Sequence, residues 1–491
     1  MDKHCKILAT IGPSSQSIDK LEAMVRAGVN LFRLNFSHGN YEYHKEVLSN
    51  IKEVQRRTGR FIGILQDISG PKVRIGKLKS EVILKPGDII EFVKDDVIGD
   101  FISPNHLQVS LNYPELLDKL NIGDDIYLYD GTIYTRVKEI LKDSIIAEVI
   151  DGGRLTSKKG VNFPNTHLDM EVLTQKDKKD IAWGVENGVD FMAISFVQSA
   201  NDMKKVRQYL KSLGGTQDLI AKIEKFDAVE DIDEILKVSD GIMVARGDLG
   251  IEIPYYRVPE VQKMLIKKAN SASKPVITAT QMLLSMTHSE RATRAEISDV
   301  ANAVLDGSDC LMLSEESAIG KYPIEAVKTM SITIKEAEKE FNYFKIHQFA
   351  YNDDGDVINE SAVNLVQNIE ATAILAITTS GGSAKKLSRY RPKQPIYAVS
   401  HTEAIARKLT LVWGVLPLFI STTSSARKMM IDVISRGLDS GILSIDKNYI
   451  VTAGDPPGKP GSTNIIRILR RKELEHFSTM AKEQGLPEDW E

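Results

Sequence analysis

Two cysteines, Cys5 and Cys310, in 491 residues exclude a disulfide scaffold and a cysteine-rich zinc site, and they suit a reducing compartment. Charge of neither sign dominates. The 63 Lys and Arg stand against 67 Asp and Glu, a formal net charge of −4, which gives no electrostatic footprint for nucleic acid or an anionic membrane. Long hydrophobic runs are missing as well: none approaches the roughly 18–20 residues of a membrane span. The opening Met1-Asp2-Lys3-His4-Cys5 lacks a signal-peptide core, so the expectation is a cytoplasmic protein. Repeats and low-complexity tracts are absent, and 26% charged with 42% hydrophobic residues excludes wholesale disorder. At about 100–200 residues per domain, this length holds roughly two to four domains.

What is present is a rhythm. Eight short apolar runs, residues 6–12, 31–37, 61–68, 191–197, 219–225, 241–247, 275–280 and 310–316, are too continuous for half-exposed strands and mostly too short for helices. Amphipathic stretches separate them, among them 18–27, 260–273, 298–305 and 324–340. Strand then helix, about eight times, predicts an α/β fold built on a (β/α)8 TIM barrel. Between Ile68 and Leu168 the rhythm gives way to short alternating segments split by Gly, Pro and Asp (82–84, 88–93, 126–129, 133–137 and 145–149). They predict an all-β insertion that hinges as a lid. The stretch Tyr351–Asp356, rich in Asn, Asp and Gly, marks a boundary before an open-sheet α/β domain with strands at 371–378, 395–400, 415–421 and 449–452, and a candidate fifth at 463–469. The expected domains are residues 1–69 with 163–340 for the barrel, 70–162 for the lid, and 341–491 for the C-terminal domain.

Polar residues close the apolar runs in turn: Arg33, Asn35 and Ser37; Asp67; Ser195; Lys222 and Glu224; Arg246 and Asp248; Thr280; Ser314 and Glu316. In a barrel these ends converge on one face, where active sites lie. Glu224 and Asp248 close neighbouring strands and suit Mg2+ or Mn2+, the competing reading being surface ion pairs. Lys222 shares a strand face with Glu224 and could balance phosphoryl oxygens, or simply pair with Glu224. Glycines in Arg246-Gly247-Asp248-Leu249-Gly250 allow backbone to approach an anion if a short helix follows, although such glycines are often plain turns. Arg33, with Asn35, Ser37 and His38 beside it, can fork phosphate oxygens. The segment Gly454-Asp455-Pro456-Pro457-Gly458-Lys459 is one residue short of a Walker loop and is followed by Pro460.

Taken together, these motifs identify the family. Residues 6–15, Arg33-Leu34-Asn35-Phe36-Ser37-His38-Gly39, Ser157–Asn162, Lys222-Ile223-Glu224, Gly241–Gly250, Ala279–Leu283, Thr293–Glu296 and Ser298–Ala303 make the chain resemble pyruvate kinase over nearly its whole length. The resemblance implies phosphoryl transfer from phosphoenolpyruvate to ADP, giving pyruvate and ATP. It implies Glu224 and Asp248 as ligands of Mg2+ or Mn2+ and Lys222 at the transferring phosphoryl. Backbone N–H groups of Gly247 and Asp248, with Thr280, would hold the substrate carboxylate, and Arg33 would touch both substrates' phosphates. Asn35, His38, Arg74 and Lys159 would serve the nucleotide, with Asp130 reaching from the lid. A homotetramer is implied too.

Relatives that need K+ usually carry Asp-Thr-Lys-Gly-Pro-Glu after the third strand, whereas this chain reads Asp67-Ile68-Ser69-Gly70-Pro71-Lys72. Asn35, Ser37, Asp67 and Ile68 would form the monovalent-cation pocket, with the Lys72 ammonium in place of the ion, so K+ should not be required. A lysine merely exposed on the lid hinge is the competing account. Glu315 stands where a glycine is usual and Ala292 where a proline is usual, ahead of Arg294 in a loop that forms a subunit contact in the family. Thr378-Thr379-Ser380-Gly381-Gly382-Ser383 resembles the effector loop for a sugar phosphate or nucleotide, with Lys459 as a partner from the facing loop; a ligand-free Ser/Thr/Gly turn is the alternative. Two rivals to the kinase are a metal-dependent barrel lyase or aldolase working through a pyruvate enolate, and a catalytically silent sugar-phosphate sensor.

Overall fold

The computed structural model describes residues 3–164, 166–167, 170–344, 349–351, 353–421, 426–454, 461 and 463–484. Eight strands close a parallel barrel: β1 (Lys6–Thr10), β2 (Leu31–Asn35), β3 (Gly63–Asp67), β4 (Phe191–Ile194), β5 (Asp218–Ile223), β6 (Gly241–Ala245), β7 (Val276–Ala279) and β8 (Cys310–Leu313). Most are buried on both faces, which is why their sequences run apolar without alternation. One set of side chains, Leu8, Leu65, Phe191, Met243 and Ile277 among them, fills the barrel, while the other packs under the helices. Local signals place those helices. Gly28 ends Ile18–Ala27, and reciprocal capping at Thr174 with Asp177 and at Thr293 with Glu296 starts Gln175–Asn187 and Arg294–Leu305.

Each barrel strand stops before its apolar run does. Ser37, Ser195, Glu224, Thr280 and Ser314 therefore lie in the loops just past the strand ends, and Arg246 opens a short helix there. Arg294 corrects the reading of a loop there, since it opens a helix capped by Thr293. Glu316 is a structural group: its buried carboxylate accepts the backbone N–H of Leu283 and of Ser314.

The insertion between β3 and β4 is all-β, as expected, with more strands than its periodicity revealed. Seven strands lie in the spatial order Val161–Asn162, Asp125–Leu128, Ile133–Ile140, Ser144–Asp151, Ile89–Val93, His106–Ser110 and Asp100–Ser103. A separate ribbon pairs Val82–Leu84 with Gly153–Leu155. The lid has its own core, including Ile90, Phe92, Leu107, Ile126 and Ala147.

Beyond the barrel, β9 (Ala373–Thr378), β10 (Ile396–Ser400), β11 (Val415–Ile420), β12 (Tyr449–Gly454) and β13 (Thr463–Leu469) form an open sheet in the order β11-β10-β9-β12-β13. Only β13 is antiparallel. The boundary stretch is in part helical: Asp353 caps the helix Asp354–Asn368 by accepting the Asp356 N–H. This domain closes the barrel's N-terminal face. Leu411, fully buried, joins the barrel's inner side chains. Around it, charged groups meet residues at strand starts: Arg391 with Asp309 at 3.1 Å, Arg407 with Asp190 at 2.9 Å, and Lys408 with Asp218 at 2.7 Å. Lys6 Nζ donates to the Val415 carbonyl at 2.6 Å. The opposite, C-terminal face is left to the polar strand ends and the lid.

Candidate active site

Arg33 on β2 and Asp67 at the end of β3 are one strand apart, and Arg33 Nε donates to Asp67 Oδ2 at 2.6 Å. A second guanidinium N–H donates to Thr10 Oγ1 at 3.1 Å. From β5, the Lys222 ammonium reaches Glu224 Oε1 at 2.8 Å, Ser195 Oγ at 2.8 Å and Asp67 Oδ1 at 3.3 Å. The second Glu224 oxygen accepts the Phe196 N–H at 2.9 Å. Residues from five neighbouring strands thus meet in one charged cluster with little solvent.

Its charges support one another. Burial opposes a charged Lys222, but Asp67 and Glu224 outweigh it and hold the ammonium above the usual lysine range. Burial would likewise push the Asp67 carboxyl up, yet Arg33 and Lys222 hold it below the ordinary carboxylate range. Glu224 goes the other way. Burial raises its pKa, Lys222 offsets this in part, and Asp248 adds to it.

Asp248 sits half-buried in the first turn of the helix Arg246–Glu252, so a short helix, not a plain turn, follows β6. Among the described residues its carboxylate has no hydrogen bond or ion pair, although its charge bears on both Lys222 and Glu224. An unpartnered carboxylate beside a buried one is a donor set suited to a hard divalent cation. No group of three or more His, Cys, Asp or Glu that could hold a metal occurs among the described residues.

Beside them, the Gly247 N–H donates to Thr280 Oγ1 at 2.9 Å. Thr280 adopts φ +70°, a region that disfavours a β-branched residue, and its neighbour Gln281 lies at +55°. Arg246 holds this turn: one N–H donates to the Thr280 carbonyl at 2.7 Å while another pairs with Asp299 at 2.7 Å. Arg246 and Ser195 were visible as polar strand ends, but nothing in the sequence gave their partners, and Thr10 was not singled out at all.

The nucleotide-side candidates are less gathered. Asn35 Oδ1 accepts the Ser37 N–H at 3.1 Å, and the exposed His38 offers its carbonyl to the His44 ring at 3.0 Å. Ile68 is buried, and its carbonyl accepts the Ser195 hydroxyl at 2.6 Å. Arg74 bonds the Lys158 carbonyl at 2.9 Å, and the Lys159 ammonium stands 4.0 Å over the Tyr129 ring. Lys72 Nζ lies 3.6 Å from Asp130 Oδ1. The lid groups thus contact the lid and its hinge, not the Lys222 cluster, and Lys72 turns to Asp130 instead of Asn35, Ser37 and Asp67.

In the C-terminal domain, Thr378 ends β9 and its hydroxyl accepts the Gly381 N–H at 3.0 Å. Gly381 takes φ +85°, turning the chain through Thr379 and Ser380 into the helix Gly382–Arg389, where Ser383 is buried. Lys459, the expected partner of this loop, lies outside the described residues.

Residues 2–327 match the family described as pyruvate kinase, barrel domain, and residues 356–469 match pyruvate kinase, alpha/beta domain. The chain is 41% identical over 494 aligned residues to a pyruvate kinase of Geobacillus stearothermophilus, covering 99% of this chain and 82% of that one. It is 42% identical over 471 to a pyruvate kinase of Bacillus licheniformis, covering 94% and 80%. Among solved structures, a pyruvate kinase from Cryptosporidium parvum superposes with a TM-score of 0.89 at 34% identity, covering 96% of each chain.

Proposed function

This chain belongs to the pyruvate kinase family, and from that premise we propose how its barrel mouth divides the work. It is a phosphotransferase that converts phosphoenolpyruvate and ADP to pyruvate and ATP. The reaction depends on positioning and charge neutralisation more than on covalent help. The observation that carries the assignment is the Lys222 ammonium, kept charged between Asp67 and Glu224. Lys222 balances the phosphoryl oxygens in transit, and Arg33 holds phosphates of both substrates. The N–H groups of Gly247 and Asp248, with the Thr280 hydroxyl, hold the carboxylate. Glu224 and Asp248 hold Mg2+ or Mn2+, which when bound supplies positive charge to the substrate oxygens. Asn35, His38, Arg74 and Lys159, with Asp130 from the lid, serve the nucleotide as the lid excludes water. The domains run as the sequence suggests: residues 1–69 with 163–340, 70–162 and 341–491. A coupled assay with phosphoenolpyruvate, ADP and Mg2+ tests the reading; absence of ATP formation defeats it, and pyruvate release from a longer keto acid favours a lyase.

Catalysis here does not require K+. Lys72 occupies the position where K+-requiring relatives usually carry an acid. A cation and an ammonium sharing one pocket would repel by ~4 kcal/mol at 4 Å and an effective dielectric of 20. Substitution for the ion requires Lys72 to leave Asp130 and approach Asn35, Ser37, Asp67 and the Ile68 carbonyl as the lid closes.

The loop Thr378–Ser383 binds a sugar phosphate or nucleotide effector, with Lys459 from the facing loop. Support comes from the Gly381 turn, which presents hydroxyls at the start of a helix. Ser383→Asp should abolish any shift in phosphoenolpyruvate half-saturation caused by fructose 1,6-bisphosphate. The working form is a cytoplasmic homotetramer; no described helix is long and apolar enough to cross a membrane.

A further inference from the structure

Below the lid lies a second buried ion pair that the phosphoryl chemistry does not use. Lys225 Nζ is 2.7 Å from Glu252 Oε2, and the Asn162 side-chain amide donates to Glu252 Oε1 at 2.9 Å. All three residues are buried. Their places in the chain are what give the contact meaning. Lys225 directly follows Glu224, and Glu252 ends the helix whose first turn carries Asp248, one turn away. Asn162 ends the last lid strand, where the chain returns to the barrel. That return segment is pinned nearby as well: the His167 ring contacts the Asp227 carboxylate, and the Met170 carbonyl accepts from Gln198 at 3.2 Å. Burying an ion pair is a poor route to stability, because apolar residues of similar size often serve as well or better. Its location at the meeting point of three functional elements offers a better account.

We propose that Glu252, bridging Lys225 and Asn162, is a positioning residue that sets the spacing of Glu224 and Asp248 and ties that spacing to the lid hinge. The inference rests on the reading that those two carboxylates hold the divalent ion and that the lid serves the nucleotide. A short rigid helix transmits any displacement of Glu252 to Asp248, and Lys225 transmits it to Glu224. Through Asn162 the same carboxylate feels the lid.

Three variants of the full-length protein test this: Asn162→Ala, Glu252→Gln, and the double variant Lys225→Met with Glu252→Leu, which leaves no charge unpaired. Mn2+ affinity is read by electron paramagnetic resonance without nucleotide, and KM for each substrate in steady state. Asn162→Ala should raise KM for ADP about five- to twentyfold while KM for phosphoenolpyruvate and Mn2+ affinity stay within about twofold. Glu252→Gln and the double variant should each weaken Mn2+ binding ~10-fold or more. If Glu252→Gln does not fold, the double variant and Asn162→Ala carry the test. Wild-type Mn2+ affinity in the double variant overturns the proposal, as does an Asn162→Ala protein that loses thermal stability with KM for ADP unchanged. Arg74→Ala and Glu224→Gln serve as controls: if they leave KM for ADP and Mn2+ affinity untouched, the underlying assignment of metal and nucleotide sites has failed instead.

Discussion

The Lys222 ammonium and the Glu224 carboxylate lie 2.8 Å apart on one face of a strand end, with Asp67 3.3 Å from the same nitrogen. Without substrate the lysine is held by protein carboxylates, so it is oriented before any phosphate arrives.

Lys222→Met should lower kcat by ~10²–10³-fold or more, because among the described residues no other lysine pairs with Asp67 or Glu224 to meet charge developing in transfer. Steady-state kinetics on a variant shown to be folded by circular dichroism checks it. Turnover within tenfold of wild type would leave Lys222 a structural partner of Glu224.

Activity should be the same within about twofold in K+, Na+ and tetramethylammonium buffers of equal ionic strength. Lys72→Glu should remove the fixed ammonium and make K+ necessary, with a loss of ~100-fold or more in its absence. Strict K+ dependence of the wild type would mean that Lys72 serves only its ion pair with Asp130.

Lys6 should give stability an alkaline slope. Burial, with Lys3 beside it, brings its pKa down to about 7, whereas the unfolded chain returns it to about 10.4. Below the folded value the unfolded state gains nothing in protons, and the cost of the buried charge is present in full, on the order of 5 kcal/mol. Between pH 7 and about 10 the unfolded state binds more protons, so stability from this group rises with pH. Urea midpoints at pH 7 and pH 9.5 measure the slope. Lys6→Met should flatten it and gain most at pH 7, less about 1–3 kcal/mol for the Val415 carbonyl left without its donor.

Leu411→Ala should destabilise the protein by about 2–5 kcal/mol in urea unfolding, the cost of a cavity where relaxation is restricted. Leu411 is fully buried among barrel residues. A change below about 1 kcal/mol would mean that the C-terminal domain rests loosely on the barrel.

How much of this was legible beforehand depends on whether the signal was local. The barrel strands were, because a strand buried on both faces writes its environment into consecutive residues, as in Lys6–Thr10 and Gly241–Ala245. Polar residues at the ends of such runs had no apolar purpose, so Arg33, Asp67, Lys222 and Glu224 stood out. Lid strands such as Asp100–Ser103 did not, being short, partly exposed and without clear alternation. The burial of Leu411 was not legible, because the cluster it joins draws on barrel strands distant in sequence. The burial of Lys225 and Glu252 was not legible for the same reason: it is made by residues distant in sequence.

The corked barrel has a practical corollary. Anyone trimming this chain to a minimal catalyst would uncover an oily socket ringed by Asp190, Asp218 and Asp309, stripped of their cationic counterparts. Such a fragment should clump or swell unless redesigned. A minimal version of the enzyme must bring a new floor with it.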